Sequence, residues 1–96
     1  MYSIKVSLNA QEELQEIEAN YFLISEKVAN KFILNLSKSY QILTTNPHFL
    51  IKHKNYRTIS IDKFPYVLFF EISEIVKEVY VLSCFHTSQN PNKYPI

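Results

Sequence analysis

Residues 56–91 read YRTISIDKFPYVLFFEISEIVKEVYVLSCFHTSQNP, and the reading of this stretch decides the fold. It divides into three consecutive strands that begin on an arginine and end on a histidine. The first spans about Tyr56–Ile61 and is followed by the turn Asp62-Lys63-Phe64-Pro65. The second, Tyr66–Ser73, places Leu68, Phe70 and Ile72 on one face and Val67 and Phe69 on the other. A strand apolar on both faces belongs in the middle of a sheet. Val79–His86 is similarly two-sided and belongs inside or next to the centre.

Upstream, Tyr2, Ile4, Val6 and Leu8 alternate with Ser3, Lys5 and Ser7, the period of a half-buried strand. Asn9 then reads as a helix N-cap, with Glu12 three residues on completing a capping box. Ala10, Leu14, Ile17 and Tyr21 recur at helical spacing. A second helix is expected from Ser25, with Val28, Phe32, Leu36, Tyr40 and Leu43 on one stripe and Lys27, Lys31, Asn35 and Lys38 on the exposed side. Asn46-Pro47 ends it, because proline cannot continue the hydrogen-bond ladder and restricts the residue before it. The short gap between the helices predicts an antiparallel hairpin. Residues 48–55, polar and basic, read as a loop, and the tail from Thr87 to Ile96 as irregular. The expectation is an α+β fold of order βααβββ. A four-stranded, mainly antiparallel sheet carries the helical hairpin on one face, in a single domain over residues 1–96.

Composition narrows the function. The 96 residues suffice for one small core, and seven Phe and seven Tyr give it large burial per residue. Glycine is absent, so turns are expected to fall to Asn, Asp, Ser and Pro, and a glycine-built phosphate loop is excluded. The single Cys84 forms no internal disulfide and rules out a four-cysteine zinc site. His48, His53 and His86 lack the spacing of a metal site, so neither metal nor cofactor is expected. With no basic-then-apolar leader and no apolar run of membrane-spanning length, a cytoplasmic protein without membrane contact is expected. A net charge of +1 offers no global attraction to nucleic acid. The charge is uneven, however: Glu12, Glu13, Glu16 and Glu18 make the first helix acidic, while Lys52, Lys54, Arg57 and Lys63 crowd one short segment.

The order of elements and four local strings resemble the RelE/ParE superfamily of bacterial toxins. "LTTNP" is similar to the family's end of the second helix, "YRTISI" to its arginine-led strand, "FPYVLFFEI" to its central strand, and "VLSCFHTSQNP" to its closing strand. The resemblance covers essentially the whole chain. It implies the toxin of a type II toxin–antitoxin pair, neutralised by direct binding of a cognate antitoxin. Two activities occur on this fold: ParE-like members poison DNA gyrase and are not enzymes, whereas RelE-like members cut messenger RNA in the ribosome as metal-independent endoribonucleases.

RNA cleavage of the second kind needs a base for the 2′-hydroxyl, cations for the phosphorane charge and an acid for the leaving oxygen. The residues available are Lys52, Lys54, Arg57, His86 and Tyr94. Arg57 matches the family arginine, but Thr87, Ser88 and Gln89 stand where many relatives carry a further arginine. Arg57 and His86 are the candidate catalytic residues; Lys52, Lys54 and Tyr94 are candidate binding residues. Each also has a structural reading. Arg57 shares strand parity with Ile59 and Ile61 and can pair with a carboxylate such as Glu16. His86 shares parity with Leu82 and Cys84 as a satisfied core histidine. The lysines belong to a solvated loop, and Cys84 to the core. The depleted cationic set and near-neutral charge favour the ParE-like side, since phosphate affinity scales with the cations presented. The rivals are the RelE-like nuclease and an inactive antitoxin-binding module. Strands that start at Tyr56 and end at His86 bracket the central strand, so Arg57 and His86 are expected to converge at one rim.

Overall fold

Serine caps, a proline stop and two hairpin turns divide the chain into its elements. The computed structural model describes residues 1–48, 52–53 and 56–87, with the pair 52–53 as backbone alone. In chain order these are β1 (Ser3–Val6), α1 (Leu8–Ile24), α2 (Glu26–Thr45), β2 (Lys52–His53), β3 (Tyr56–Ser60), β4 (Tyr66–Ser73) and β5 (Glu78–His86). The strands form one sheet in the order β1-β5-β4-β3-β2. β1 runs parallel to β5, and every other pair is antiparallel. The four longer strands are those expected. The fifth, β2, falls inside the segment read as a loop, where Lys52 pairs with Arg57 and His53 with Tyr56. Two residues are too few to produce an alternating pattern.

The first helix starts earlier than expected. Ser7, not Asn9, is the N-cap: its Oγ accepts the Ala10 N–H at 3.0 Å. The same hydroxyl donates to the Leu82 carbonyl at 3.0 Å, so one side chain both caps α1 and ties it to β5. Asn9 instead donates to Glu13 and to Leu82 O. Ser25 serves both helices, its N–H donating to Tyr21 O and its Oγ accepting from Val28 N. A single residue therefore reverses the chain, and α2 ends on Asn46 before the buried Pro47. Asn35, expected on the exposed side, is buried at 3% exposure. It adjoins Leu36 and precedes Ser39 by one turn, and Ser39 Oγ donates to both Asn35 O and Ser60 O at 3.3 Å. The core face of α2 is thus wider than its apolar stripe.

Both helices pack on one face of the sheet over a core that includes Phe32, Leu43, Leu68, Phe70, Val79 and Val81, all at 0% exposure. Leu14 and Leu36 are buried as well, while Ile17 is only half-buried at its margin. One irregularity shapes the sheet. The β4–β5 register steps from Phe69–Ser83 to Phe70–Val81, leaving Leu82 as the extra residue of a β-bulge. The bulge lets Val79, Val81 and Cys84 all face the core, although strict alternation would turn Cys84 away from the other two. Leu82 therefore does not share the core parity of Cys84 and His86.

Because Phe70 is fully enclosed at the middle of β4, Phe70→Ala should cost about 3–5 kcal/mol in denaturant unfolding, from lost transfer energy plus the cavity left behind. A loss below about 1 kcal/mol would show that the site collapses around the deletion or that β4 is not central.

Candidate functional site

Arg57 lies in β3 opposite Phe70 of β4 and Lys52 of β2. Alternation places it on the helix side with Ile59, whose side chain is buried. Its stem therefore runs along the core edge, as its structural reading expects, but its head does not meet Glu16. The guanidinium Nη1 donates to the His48 carbonyl at 2.8 Å, just past the end of α2. Lys52 is its cross-strand neighbour by register. The side chain of Lys52, together with Lys54 and Tyr94, lies outside the described residues.

His86 sits at the far end of β5 opposite Tyr66, the two rings meeting edge to face at 5.1 Å between centroids. Both line a cleft of about 260 Å³ with Glu13, Glu16, Asn20 and Cys84. Glu13 is held there by the bulge, its Oε1 accepting from Ser83 Oγ at 3.0 Å and Cys84 N at 3.1 Å. Tyr66 continues into an aromatic group with Tyr21, Phe32 and Phe64. Burial, then Tyr21 and Cys84, raise the Tyr66 phenol above its ordinary pKa.

The expected convergence of Arg57 and His86 does not occur. β3 and β5 both run antiparallel to β4, so the start of β3 and the end of β5 lie at opposite rims. Arg57 is level with Phe70 and His86 with Tyr66, four residues apart along β4, or about 14 Å at the usual strand rise. What the structure brings to Arg57 is a different set. Tyr2 Oη is 2.8 Å from His48 Nε2 and donates to Glu74 at 3.0 and 3.2 Å. His48 Nε2 is 2.6 Å from Glu74 Oε1, and Lys77 Nζ is 3.1 Å from Glu74 Oε2. No sequence signal announces this cluster, because its members come from the residue before β1, the segment after α2 and the β4–β5 turn. Among the described residues no group of three or more His, Cys, Asp or Glu side chains is arranged to hold a metal ion.

The fold defines a small α+β protein with a helical hairpin on one face of a mixed sheet. The sequence matches the model of the ParE toxin of type II toxin–antitoxin systems, parDE, over residues 4–91. The chain belongs to this family. Its fold overlaps a chain of the chromosomal ParDE system from P. aeruginosa with TM-score 0.75 at 20% identity, covering 92% of this chain and 98% of that one. A chain of the intact E. coli RelBE toxin–antitoxin complex overlaps at 0.59 and 15% identity, with 94% and 100% covered. The isolated E. coli RelE toxin overlaps at 0.60 and 14% identity, with 96% and 90% covered. Comparison with curated proteins gave no match. Among the described residues no helix is long and apolar enough to cross a membrane.

Two measurements test this electrostatic picture. Burial, and secondarily Glu13, push the Cys84 thiol up from 9.0 to about 12. Since the thiolate is the reactive form but grows more nucleophilic as its pKa rises, Cys84 should react with a disulfide reagent at pH 8 at least about thirty-fold more slowly in the folded protein than in guanidinium. Comparable rates would show an accessible, ordinary thiol. Glu74 is held below its ordinary value of 4.5, chiefly by the Lys77 hydrogen bond, against opposing desolvation and with help from Tyr2. A depressed carboxylate stabilises the fold above its unfolded pKa and loses that contribution as pH falls through the folded value. Glu74→Gln should therefore melt below the parent at pH 7 and close to it at the acid end of the transition. An unchanged gap across that range would remove the ionised Glu74 from the account.

Proposed function

We propose that this chain is the toxin of a type II toxin–antitoxin module, that it acts in the cytoplasm, and that its target is DNA gyrase. The observation that carries the reading is the match to the ParE toxin family over residues 4–91. The greater overlap with the ParDE chain than with the chain of the E. coli RelBE complex or the isolated RelE toxin supports the same side of the superfamily. Electrostatics supports it as well. A nuclease acting on a polyanion needs its cations gathered at the scissile phosphate, yet Arg57 and His86 lie at opposite rims, and two glutamates share the cleft of His86.

A cognate antitoxin is the partner that this family membership implies, and the surface suits one. β1 ends the sheet, and its outer edge has no partner strand among the described residues. Beside it runs a groove of about 550 Å³ lined by Ile4, Val6, Leu14, Ile33 and Tyr40. It continues past Gln15 and Glu18 toward Phe22 and Leu23 near the end of α1. An added strand and an amphipathic helix are the two modes such an edge and groove accept without reorganisation.

One observation favours a second reading, RelE-like cleavage of ribosome-bound mRNA. Lys52 and Arg57 are cross-strand partners, so two cationic residues stand side by side in the sheet.

Induced expression separates the readings. The parent should arrest growth and inhibit gyrase supercoiling, leave ribosome-bound mRNA intact, and elute with the neighbouring gene product as one complex on size exclusion. At matched soluble levels, Arg57→Ala and His86→Ala should relieve the arrest and Cys84→Ser should not. Full toxicity in both alanine variants would remove these two residues from the active surface. Cleaved mRNA with normal supercoiling would establish the second reading. A harmless parent, inert in both assays yet bound by the antitoxin, would make the chain an inactive binding module.

A further inference from the structure

We propose that His48 is a positioning residue, a latch that fastens the chain leaving α2 to the β4–β5 turn and so sets the place of β2 beside Arg57. Its importance for toxicity rests on the reading above; the latch itself does not.

The argument begins at one nitrogen. His48 Nε2 lies 2.6 Å from Glu74 Oε1 and 2.8 Å from Tyr2 Oη. A lone pair on Nε2 would confront a carboxylate oxygen at 2.6 Å, so the proton resides on Nε2. The Tyr2 hydroxyl then spends its own proton on Glu74, at 3.0 Å to Oε1, and offers its oxygen to the imidazole. Of the two neutral tautomers, this one alone places a hydrogen between Nε2 and the two oxygens, which share it as a three-centre bond. Glu74 is held from its other side by Lys77, whose ammonium bonds Oε2 at 3.1 Å and stands 5.4 Å above the Tyr2 ring. The carboxylate is thus held by Lys77 and Tyr2 as well as by His48.

The backbone of the same residue is tied separately, since His48 O accepts from Arg57 Nη1 at 2.8 Å. Side chain and carbonyl together join α2's exit to β1, to the β4–β5 turn and to β3. Four residues further on, Lys52 enters the sheet opposite Arg57. A chain of that length reaches at most about 14 Å, so anchoring residue 48 restricts where β2 can lie.

Two measurements on the full chain test the latch. A long-range proton–nitrogen correlation spectrum of the neutral His48 ring should show hydrogen on Nε2; hydrogen on Nδ1 would overturn the assignment. Amide exchange in β2 and at Tyr56 should accelerate about two- to five-fold in His48→Ala, the range for losing an exposed charged pair. His48→Gln, whose amide can donate to Glu74, should recover most of the protection. Unchanged exchange in His48→Ala would overturn the role. So would equal acceleration at Leu68 and Val81, which would mark a general loss of stability. Growth arrest by the same variants bears on the toxic surface alone, so a failure there leaves the latch standing.

Discussion

The bulge at Leu82 is the constraint on which the arrangement of this domain depends. An extra residue in a central strand frees one carbonyl and one N–H from the ladder, and each needs a partner. Both partners come from the start of α1. Ser7 and Asn9 donate to Leu82 O, and Glu13 accepts from Cys84 N and Ser83 Oγ. Ser7 N donates to Val81 O, which continues the β1–β5 pairing into the helix cap. The first two turns of α1, with its cap, therefore satisfy the bulge, and the bulge in turn seats the helix on the sheet. Without it, the strand beyond Leu82 would turn over, carrying Cys84 out of the core and His86 away from Tyr66.

The lack of glycine leaves its mark at the turns. Among the described residues two take a left-handed backbone, Lys63 at φ 67° and Lys77 at φ 54°, one in each of the last two hairpin turns. For an L-residue with a Cβ this conformation costs about 1–2 kcal/mol. At Lys77 the cost is offset locally, because the turn places its ammonium on Glu74 and over Tyr2. An expectation built on Asn, Asp, Ser and Pro as turn formers holds for Asp62 and Pro65 but misses the lysines, whose suitability depends on partners distant in sequence.

The same distinction explains what was legible in the sequence. Elements announced by local pattern are found where expected: β4 from Tyr66 to Ser73, the Ser25 cap and the Asn46-Pro47 stop. α1 starts earlier than its pattern suggests because Ser7 and Asn9 both suit a cap, and it is Ser7 whose hydroxyl takes the Ala10 N–H while Asn9 lies within the first turn. Asn35 was misassigned because its burial follows from the packing of α2, which a polar side chain does not advertise. The strands of Arg57 and His86 follow from their patterns, but the separation of these two residues does not, since β3 and β5 run the same way and their named ends lie at opposite rims. The Tyr2–His48–Glu74–Lys77 cluster had no local signature at all.

Relocating these residues changes what a functional surface on this fold can be. His86, expected beside cations, shares its cleft with Glu13 and Glu16, and Glu13 is fixed there by the bulge. A carboxylate that holds two hydrogen bonds within the structure cannot turn aside for a phosphate, so that corner repels a polyanion and suits a basic or neutral protein surface. The cationic corner lies across the sheet, where Arg57 and Lys52 are neighbours and His48 is tied to Glu74. The two corners carry opposite charge because the acidic α1 covers the β5 end of the sheet while the basic segment after α2 supplies its other edge. A net charge near zero therefore conceals local patches of opposite sign. Such a surface favours recognition of a partner with matched charges over generic attraction to nucleic acid.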